Sequence, residues 1–126
     1  MHRRKLIRSF INAAKGLYYV CRNERNMIIH LGIAFIVIAM SFFLHLDKIE
    51  FLIVLVCIAL VLTLETINTA FECMVDLFHG AKINSIVKML KDIASAAVLL
   101  ACIFSAIVGV WIFLPKLMLK WPMKIY

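Results

Sequence analysis

Apolar and polar positions divide the chain into four segments. Over residues 5–24, Leu6, Phe10, Leu17, Tyr18 and Cys21 recur at helical spacing, while Lys5, Arg8, Asn12, Lys15, Tyr19 and Arg22 take the opposite side. That pattern predicts an amphipathic helix lying in a membrane interface, apolar side down. Residues 27–46 contain no Asp, Glu, Lys or Arg. At about 1.5 Å per residue this run reaches about 30 Å, enough to cross the hydrocarbon of a bilayer. A short polar turn over 45–50 then sends the chain back antiparallel. The second span, 49–78, is charge-free only over 51–64; Glu65, Asn68, Glu72 and Asp76 follow. A polar connection over 79–90 carries Gly80, Asn84 and Ser85. The third span is predicted to open near Met89 and to run to Leu114, where Pro115 ends it, leaving 115–126 as a tail.

Composition turns these segments into a fold class. The 126 residues are 65% hydrophobic, with a mean hydropathy of +1.02. Soluble domains run nearer half apolar, and a chain this short cannot bury such an excess within itself. The expectation is an all-α integral membrane protein of one domain: an N-terminal amphipathic surface helix plus three transmembrane helices, with oligomerisation as a natural complement. No internal repeat or low-complexity segment interrupts it.

Charge supplies the orientation. The formal charge is +7, and Arg3, Arg4, Lys5, Arg8, Lys15, Arg22 and Arg25 all precede the first span. Beside a long apolar run, such an arm marks the cytoplasmic side and meets anionic lipid, so nucleic acid is not the expected partner. Lys82, Lys88 and Lys91 put the second connection on the same side, giving it ten of the fourteen basic residues. Lys48, Lys116, Lys120 and Lys124 fall outside, with Trp111 and Trp121 in an outer aromatic belt. The arm is too long and too structured for the basic region of a signal peptide, and no small-residue cleavage site follows the first apolar run. Cys21, Cys57, Cys73 and Cys102 form no CxxC pair and read as small buried hydrophobes.

Charged groups inside a span are costly and mark functional positions. Glu65 lies about 21 Å down the second helix from Phe51, within hydrocarbon but near its inner surface. Glu72 falls at that interface, Asp76 just beyond it, Glu24 just before the first span, and Lys91 and Asp92 at the start of the third. Glu65, Asn68, Glu72 and Asp76 share an arc of about 80° on one helix face, with Thr69 beside them. Ser95 lies one turn past Asp92. Glutamate oxygens suit Mg²⁺, which keeps waters and phosphate oxygens. A nearby Lys neutralises phosphate, and a deeper carboxylate can accept a proton from an alcohol. These parts describe phosphoryl transfer from a nucleotide to a lipid hydroxyl, without a Walker loop. A proton or cation pathway and a structural Glu–Lys network stay open alternatives.

The run E-T-I-N-T-A-F-E-C-M-V-D, from Glu65 to Asp76, resembles the signature of the small prokaryotic diacylglycerol kinase family, which includes undecaprenol kinases. K-D-I-A-S-A-A-V, from Lys91 to Val98, is similar to its second motif, and K-G-L (Lys15 to Leu17) and N-E-R-N (Asn23 to Asn26) fit its N-terminal part. The resemblance covers roughly residues 5–114. It implies a homotrimer of three-span subunits in a bacterial plasma or inner membrane, with active sites shared between neighbouring subunits on the cytoplasmic side. The implied reaction transfers the γ-phosphate of ATP, with Mg²⁺, to a lipid alcohol, for lipid-carrier recycling or phospholipid metabolism. By position, Glu65 matches the general base, and Glu24 and Glu72 match metal ligands. Asn68, Asp76, Lys91 and Asp92 match residues around the nucleotide, Lys5 and Asn12 match places where the surface helix reaches it, and Ser95 matches a position near the lipid. After His79 the connection has none of the acidic and histidine residues that many members carry between the two motifs.

Other polar positions read as structural: His30 and His45 as interfacial side chains at the ends of a span, the seven Met residues as packing, and Gly32 and Gly109 as sites of close helix approach. A channel or transporter is the rival function, but it needs polar groups through the full membrane depth, and 51–64 and 93–114 offer almost none. A catalytically dead homologue would not be expected to keep both motifs. N-E-R-N-x-x-x-H, Asn23 to His30, resembles the undecaprenol branch more than the diacylglycerol branch.

Overall fold

The computed structural model describes residues 2–79 and 85–120, with side chains over 5–78 and 85–120. Gly80, Lys82, Asn84, Trp121 and Lys124, assigned above to the connection, the tail and the outer belt, lie outside the described residues. The described residues form four α-helices: α1 (His2–Asn23), α2 (Arg25–Phe43), α3 (Lys48–His79) and α4 (Ser85–Lys120). The last three are long and apolar enough to cross a membrane, so the chain is an all-α membrane protein.

A single residue separates α1 from α2. Glu24 is extended (φ −95°, ψ 117°) and is the N-cap of α2, but its side chain makes no capping bond. The carboxylate therefore sits at the positive end of a helix dipole with its oxygens uncommitted to that helix.

The α2–α3 turn is tighter than a polar loop over 45–50. Leu46 N–H donates to Ser41 C=O (3.1 Å) and His45 N–H to Phe42 C=O (3.2 Å), the paired bonds of a Schellman cap. His45 takes the left-handed conformation this cap requires, at φ 51°; non-glycine residues enter that region rarely, His more readily than most. Two residues later Asp47 opens α3 with a capping box. Its Oδ1 accepts from Ile49 N–H (2.8 Å) and Glu50 N–H (2.9 Å), and Glu50 Oε2 accepts from Asp47 N–H (2.8 Å). Helix end and helix start are thus both satisfied within a few residues, as a membrane hairpin demands.

The third span departs from the expectation at both ends. It begins at Ser85, and it does not stop at Pro115, which lies inside the helix. Neighbouring groups in a membrane bundle can compensate for the missing N–H of a proline. Here the turn beyond it is tied down: Lys116 Nζ pairs with Glu50 Oε2 (2.8 Å), and Lys120 Nζ donates to Phe43 C=O (2.6 Å) over the Phe43 ring. That carbonyl ends α2, where a cation is favoured.

Packing is uneven. α3 lies along α4 for much of its length and touches α2 less extensively, while α2 and α4 share no close backbone approach among the described residues. Small residues line the buried seams: Ala34 on α2, Val54, Val61 and Val75 on α3, Val87, Val98 and Ala101 on α4. Met27 is the most enclosed large side chain, 1% exposed. A Cβ added at Gly32 would meet nothing within 4 Å, and one at Gly109 only Phe113 of its own helix, so neither glycine serves close helix approach within one chain. Large apolar side chains such as Phe35, Phe104 and Trp111 face outward, as lipid contact requires.

Candidate active site

One face of α3 carries the site. Val54, Ile58 and Val61 recur in the same stripe as Glu65, Asn68, Glu72 and Asp76, so a single helical face is apolar in one half and polar in the other. The apolar half is the floor of a groove of about 560 Å³, walled by α2 (Ile33, Ala34, Val37) and α4 (Cys102, Ser105, Ala106, Gly109). It exists because the α2 and α4 backbones each approach α3 but, among the described residues, not each other. Lys116 and Lys120 bridge its far end to the α2–α3 turn. His30 lines the groove as well.

Glu65 stands where floor turns from apolar to polar, and only 2% of it is exposed. Its strongest electrostatic neighbours are His30, Asn26, Glu72 and Glu24, with Asn26 as a side-chain hydrogen-bonding neighbour. The first two come from α2 and Glu24 from its N-cap, so the antiparallel hairpin is what brings Glu24, far away in sequence, to Glu65 and Glu72, which α3 alone places together. One turn away Asn68, 5% exposed, donates from Nδ2 to Glu72 Oε1 (3.1 Å). Its Oδ1 is buried with no partner among the described residues, an acceptor left open to a donor from outside them. Thr69 Oγ1 donates to Glu65 C=O (3.0 Å) and takes no part in holding the carboxylate.

α4 contributes one residue directly. Lys91 Nζ is ion-paired with Asp76 Oδ1 and lies within electrostatic reach of Glu72. On the helical wheel Lys91 aligns with Val98 and Cys102, the side of α4 turned to α3. Asp92 is about 100° away and is exposed. Ser95 is also exposed, and its hydroxyl donates to Asp92 C=O (3.0 Å). Lys5 and Asn12 lie in the stretch 5–19 of α1, every residue of which is exposed. The fold of one chain thus gathers Glu24, Glu65, Asn68, Glu72, Asp76 and Lys91, and leaves Lys5, Asn12, Asp92 and Ser95 at its surface.

Among the described residues no group of three or more His, Cys, Asp or Glu side chains could hold a metal ion by itself. The donor set fits a hard cation that arrives with a phosphate: Mg²⁺ binds through one or two carboxylates and completes its shell with water and phosphate oxygens. Glu24 and Glu72 could supply those carboxylates, with Lys91 within electrostatic reach of Glu72.

Sequence reasoning passed over His30 and Asn26. Read as an interfacial side chain, His30 is instead half-buried in the groove beside Glu65. The available signal was spacing: on the helical wheel His30 lies about 40° from Ala34 and about 60° from Met27, the α2 positions that pack on α3.

The comparisons with known proteins converge. The family model for prokaryotic diacylglycerol kinase matches residues 11–113. An undecaprenol kinase from Bacillus subtilis (strain 168) is 39% identical over 119 residues, covering 92% of this chain and 96% of that protein. A diacylglycerol kinase from Synechocystis sp. is also 39% identical, over 113 residues, 90% of this chain and 65% of that protein. A diacylglycerol kinase from Haemophilus influenzae is 33% identical over 105 residues, 82% of this chain and 88% of its own length. With a match across most of its length and a three-span fold that places the carboxylates on one face, the chain belongs to the prokaryotic diacylglycerol kinase family and so to the phosphotransferases with an alcohol acceptor.

Proposed function

We propose that the chain is an ATP- and Mg²⁺-dependent kinase that phosphorylates a membrane lipid alcohol, undecaprenol before diacylglycerol, at the cytoplasmic face of a bacterial plasma membrane. The observation that carries this reading is the α3 face. Its apolar half suits a lipid and its carboxylate half suits a metal–nucleotide, and the buried Glu65 stands at the junction. Glu65 takes the proton of the acceptor hydroxyl as its oxygen attacks the γ-phosphorus. Glu24 and Glu72 would hold Mg²⁺, which when bound neutralises phosphate charge. Lys91 adds a positive charge beside Glu72, and Asn68 holds the Glu72 carboxylate in place. Asp76 fixes Lys91, and Asp92 lies at the nucleotide's edge.

A homotrimer with shared sites accounts for what the single chain leaves uncovered. Lys5 and Asn12 of a neighbouring subunit's α1 then complete the nucleotide site, and Ser95 faces the lipid. The undecaprenol preference is supported by the near full-length match to the Bacillus subtilis undecaprenol kinase and by His30 in N-E-R-N-x-x-x-H. The groove argues against an ion pathway, because beyond His30 its lining is apolar but for Ser105 and two thiols. The test is a radiolabelled ATP assay on purified protein with undecaprenol and diacylglycerol in parallel and Mg²⁺ present or chelated. Label should pass to undecaprenol faster than to diacylglycerol, and only with Mg²⁺. Label in neither lipid would overturn the reading.

A further inference from the structure

The apolar groove continues from Glu65, and ion pairs near its two ends fix how far it runs. Lys91 with Asp76 and Lys116 with Glu50 hold α4 antiparallel to α3 in a single register. In that register Cys102 stands level with Glu65, and Gly109 lies two turns deeper, about 10 Å along the helix. Lys116 and Lys120, bound to Glu50 and to the Phe43 carbonyl, close the far end, roughly 20 Å from the level of Glu65. The groove encloses about 560 Å³. A cavity of about 150 Å³ accepts one benzene, so this one has room for roughly twenty carbon atoms. Its length gives much the same count, because an extended chain advances about 1.2 Å per bond. The space suits hydrocarbon rather than water. Below His30 its polar side chains are Ser105 and two cysteines, and an ordered water needs about two to four polar partners. Ser105 Oγ is itself buried with no partner among the described residues.

Gly109 lines the α4 wall of this groove, and packing within the chain does not explain it. A glycine inside a helix is less favourable than any residue but proline, and one found there calls for a packing or functional reason. A Cβ added at Gly109 meets only the Phe113 ring of its own helix, 4.0 Å away. What the missing side chain preserves is the width of the groove. We infer that Gly109 is a specificity-determining residue of this kinase: it keeps the groove open so that one hydrocarbon chain of the acceptor, roughly the twenty carbons nearest the hydroxyl, lies along α3 from Glu65 to the Lys116–Lys120 closure. This rests on the lipid-kinase reading above. Lipid tails are as apolar as the groove, so the chain gains packing and a fixed direction rather than escape from water. A chain so fixed presents its hydroxyl to Glu65. The remainder of a longer chain leaves sideways into the bilayer, between α2 and α4.

Two isoprenoid alcohols test this. Geraniol, with about eight carbons along its main chain, reaches no deeper than Gly109, whereas geranylgeraniol, twice as long, fills the groove. Wild type, Gly109→Ala and Gly109→Leu are compared as full-length protein in the same mixed micelles. The readings are kcat/KM for each alcohol, the KM for MgATP, melting and oligomer size. Gly109→Leu should lower the geranylgeraniol-to-geraniol ratio of kcat/KM roughly 10-fold or more, the scale on which one methylene decides fit in an apolar pocket. Its geraniol rate and KM for MgATP should match wild type. Gly109→Ala should lower the ratio by a smaller factor and melt no lower than wild type, since alanine is the better helix former; it keeps the result readable if the Leu variant fails to fold. An unchanged ratio in the bulkiest variant that folds overturns the inference. So does an equal loss for both alcohols with a smaller oligomer, which would make the groove a seat for a neighbouring subunit. A wild-type protein that labels no lipid alcohol overturns the kinase reading instead, so the two failures are distinct.

Discussion

Single residues decide the chemistry here. Glu65 and Glu72 are the same side chain two turns apart, yet one is buried at the head of an apolar groove and the other half-buried beside Asn68 and within reach of Lys91. Removing each should have different consequences. Glu65→Gln keeps shape and loses only the proton acceptor, so turnover should fall about 10²–10⁴-fold while MgATP binding, read by calorimetry, stays intact. Wild-type rates in that variant would end the general-base assignment. Glu72→Gln still accepts from Asn68 Nδ2 but loses the charge proposed to hold Mg²⁺. Its Mg²⁺ titration of nucleotide binding should move to roughly 10–100-fold higher concentration; an unchanged titration would withdraw the metal role.

At the scale of elements, the α2–α3 turn is the joint on which the site depends, since it sets the register that brings Asn26 and His30 to Glu65. Hydrogen bonds from the Glu50 and Ile49 backbone N–H groups, the former foremost, with the nearby Lys116 charge, hold the Asp47 carboxyl below the usual carboxylate range. A carboxylate whose folded-state value is depressed stabilises fully above its unfolded value, about 3.9, and loses that contribution as pH falls through the folded value. Wild-type protein should therefore lose more thermal stability between pH 7 and pH 3 than Asp47→Asn, whose side-chain oxygen caps α3 at both. Equal losses in detergent melts would show that the cap does not titrate. The α4 extension past Pro115 belongs to the same joint, because Lys116 shares Glu50 with the capping box.

At the scale of the whole molecule the prediction is sidedness. Glu24, Glu72, Asp76 and Lys91 lie at one end of the bundle, the end bearing the basic α1, and the groove leads from it toward the opposite end. ATP is charged and cannot enter hydrocarbon, so it must meet the acceptor at that surface. In oriented proteoliposomes, ATP should support phosphorylation only from the face carrying α1. A cysteine placed at Ser85, in a background lacking the four native cysteines, reports that face by its accessibility to an impermeant thiol reagent. Activity driven by ATP from the side of the turn around His45 would overturn both the orientation and the nucleotide site. The long exposed stretch of α1 makes sense at this scale too, as a surface for lipid and for the neighbouring subunit proposed above.

Local pattern determined the number and class of the elements. A run of 27–46 without charge is long enough for a span whatever surrounds it, and the carboxylates of 65–76 fall on one face because helical geometry places residues three and four apart together. The family was legible for the same reason: its motifs are contiguous. The ends of elements were less so, since Pro115 is a breaker by its own chemistry and is carried through the helix by Glu50 and Phe43, about seventy residues away in the chain. Which members of the polar set meet was decided only in three dimensions. Lys91 and Asp92 are neighbours in sequence, but one helical step of about 100° turns the first to Asp76 and leaves the second exposed. His30 looked like an interfacial side chain because nothing adjacent to it in sequence announces Glu65. The antiparallel hairpin brings the two together, and no pattern within a single helix encodes a distance between two.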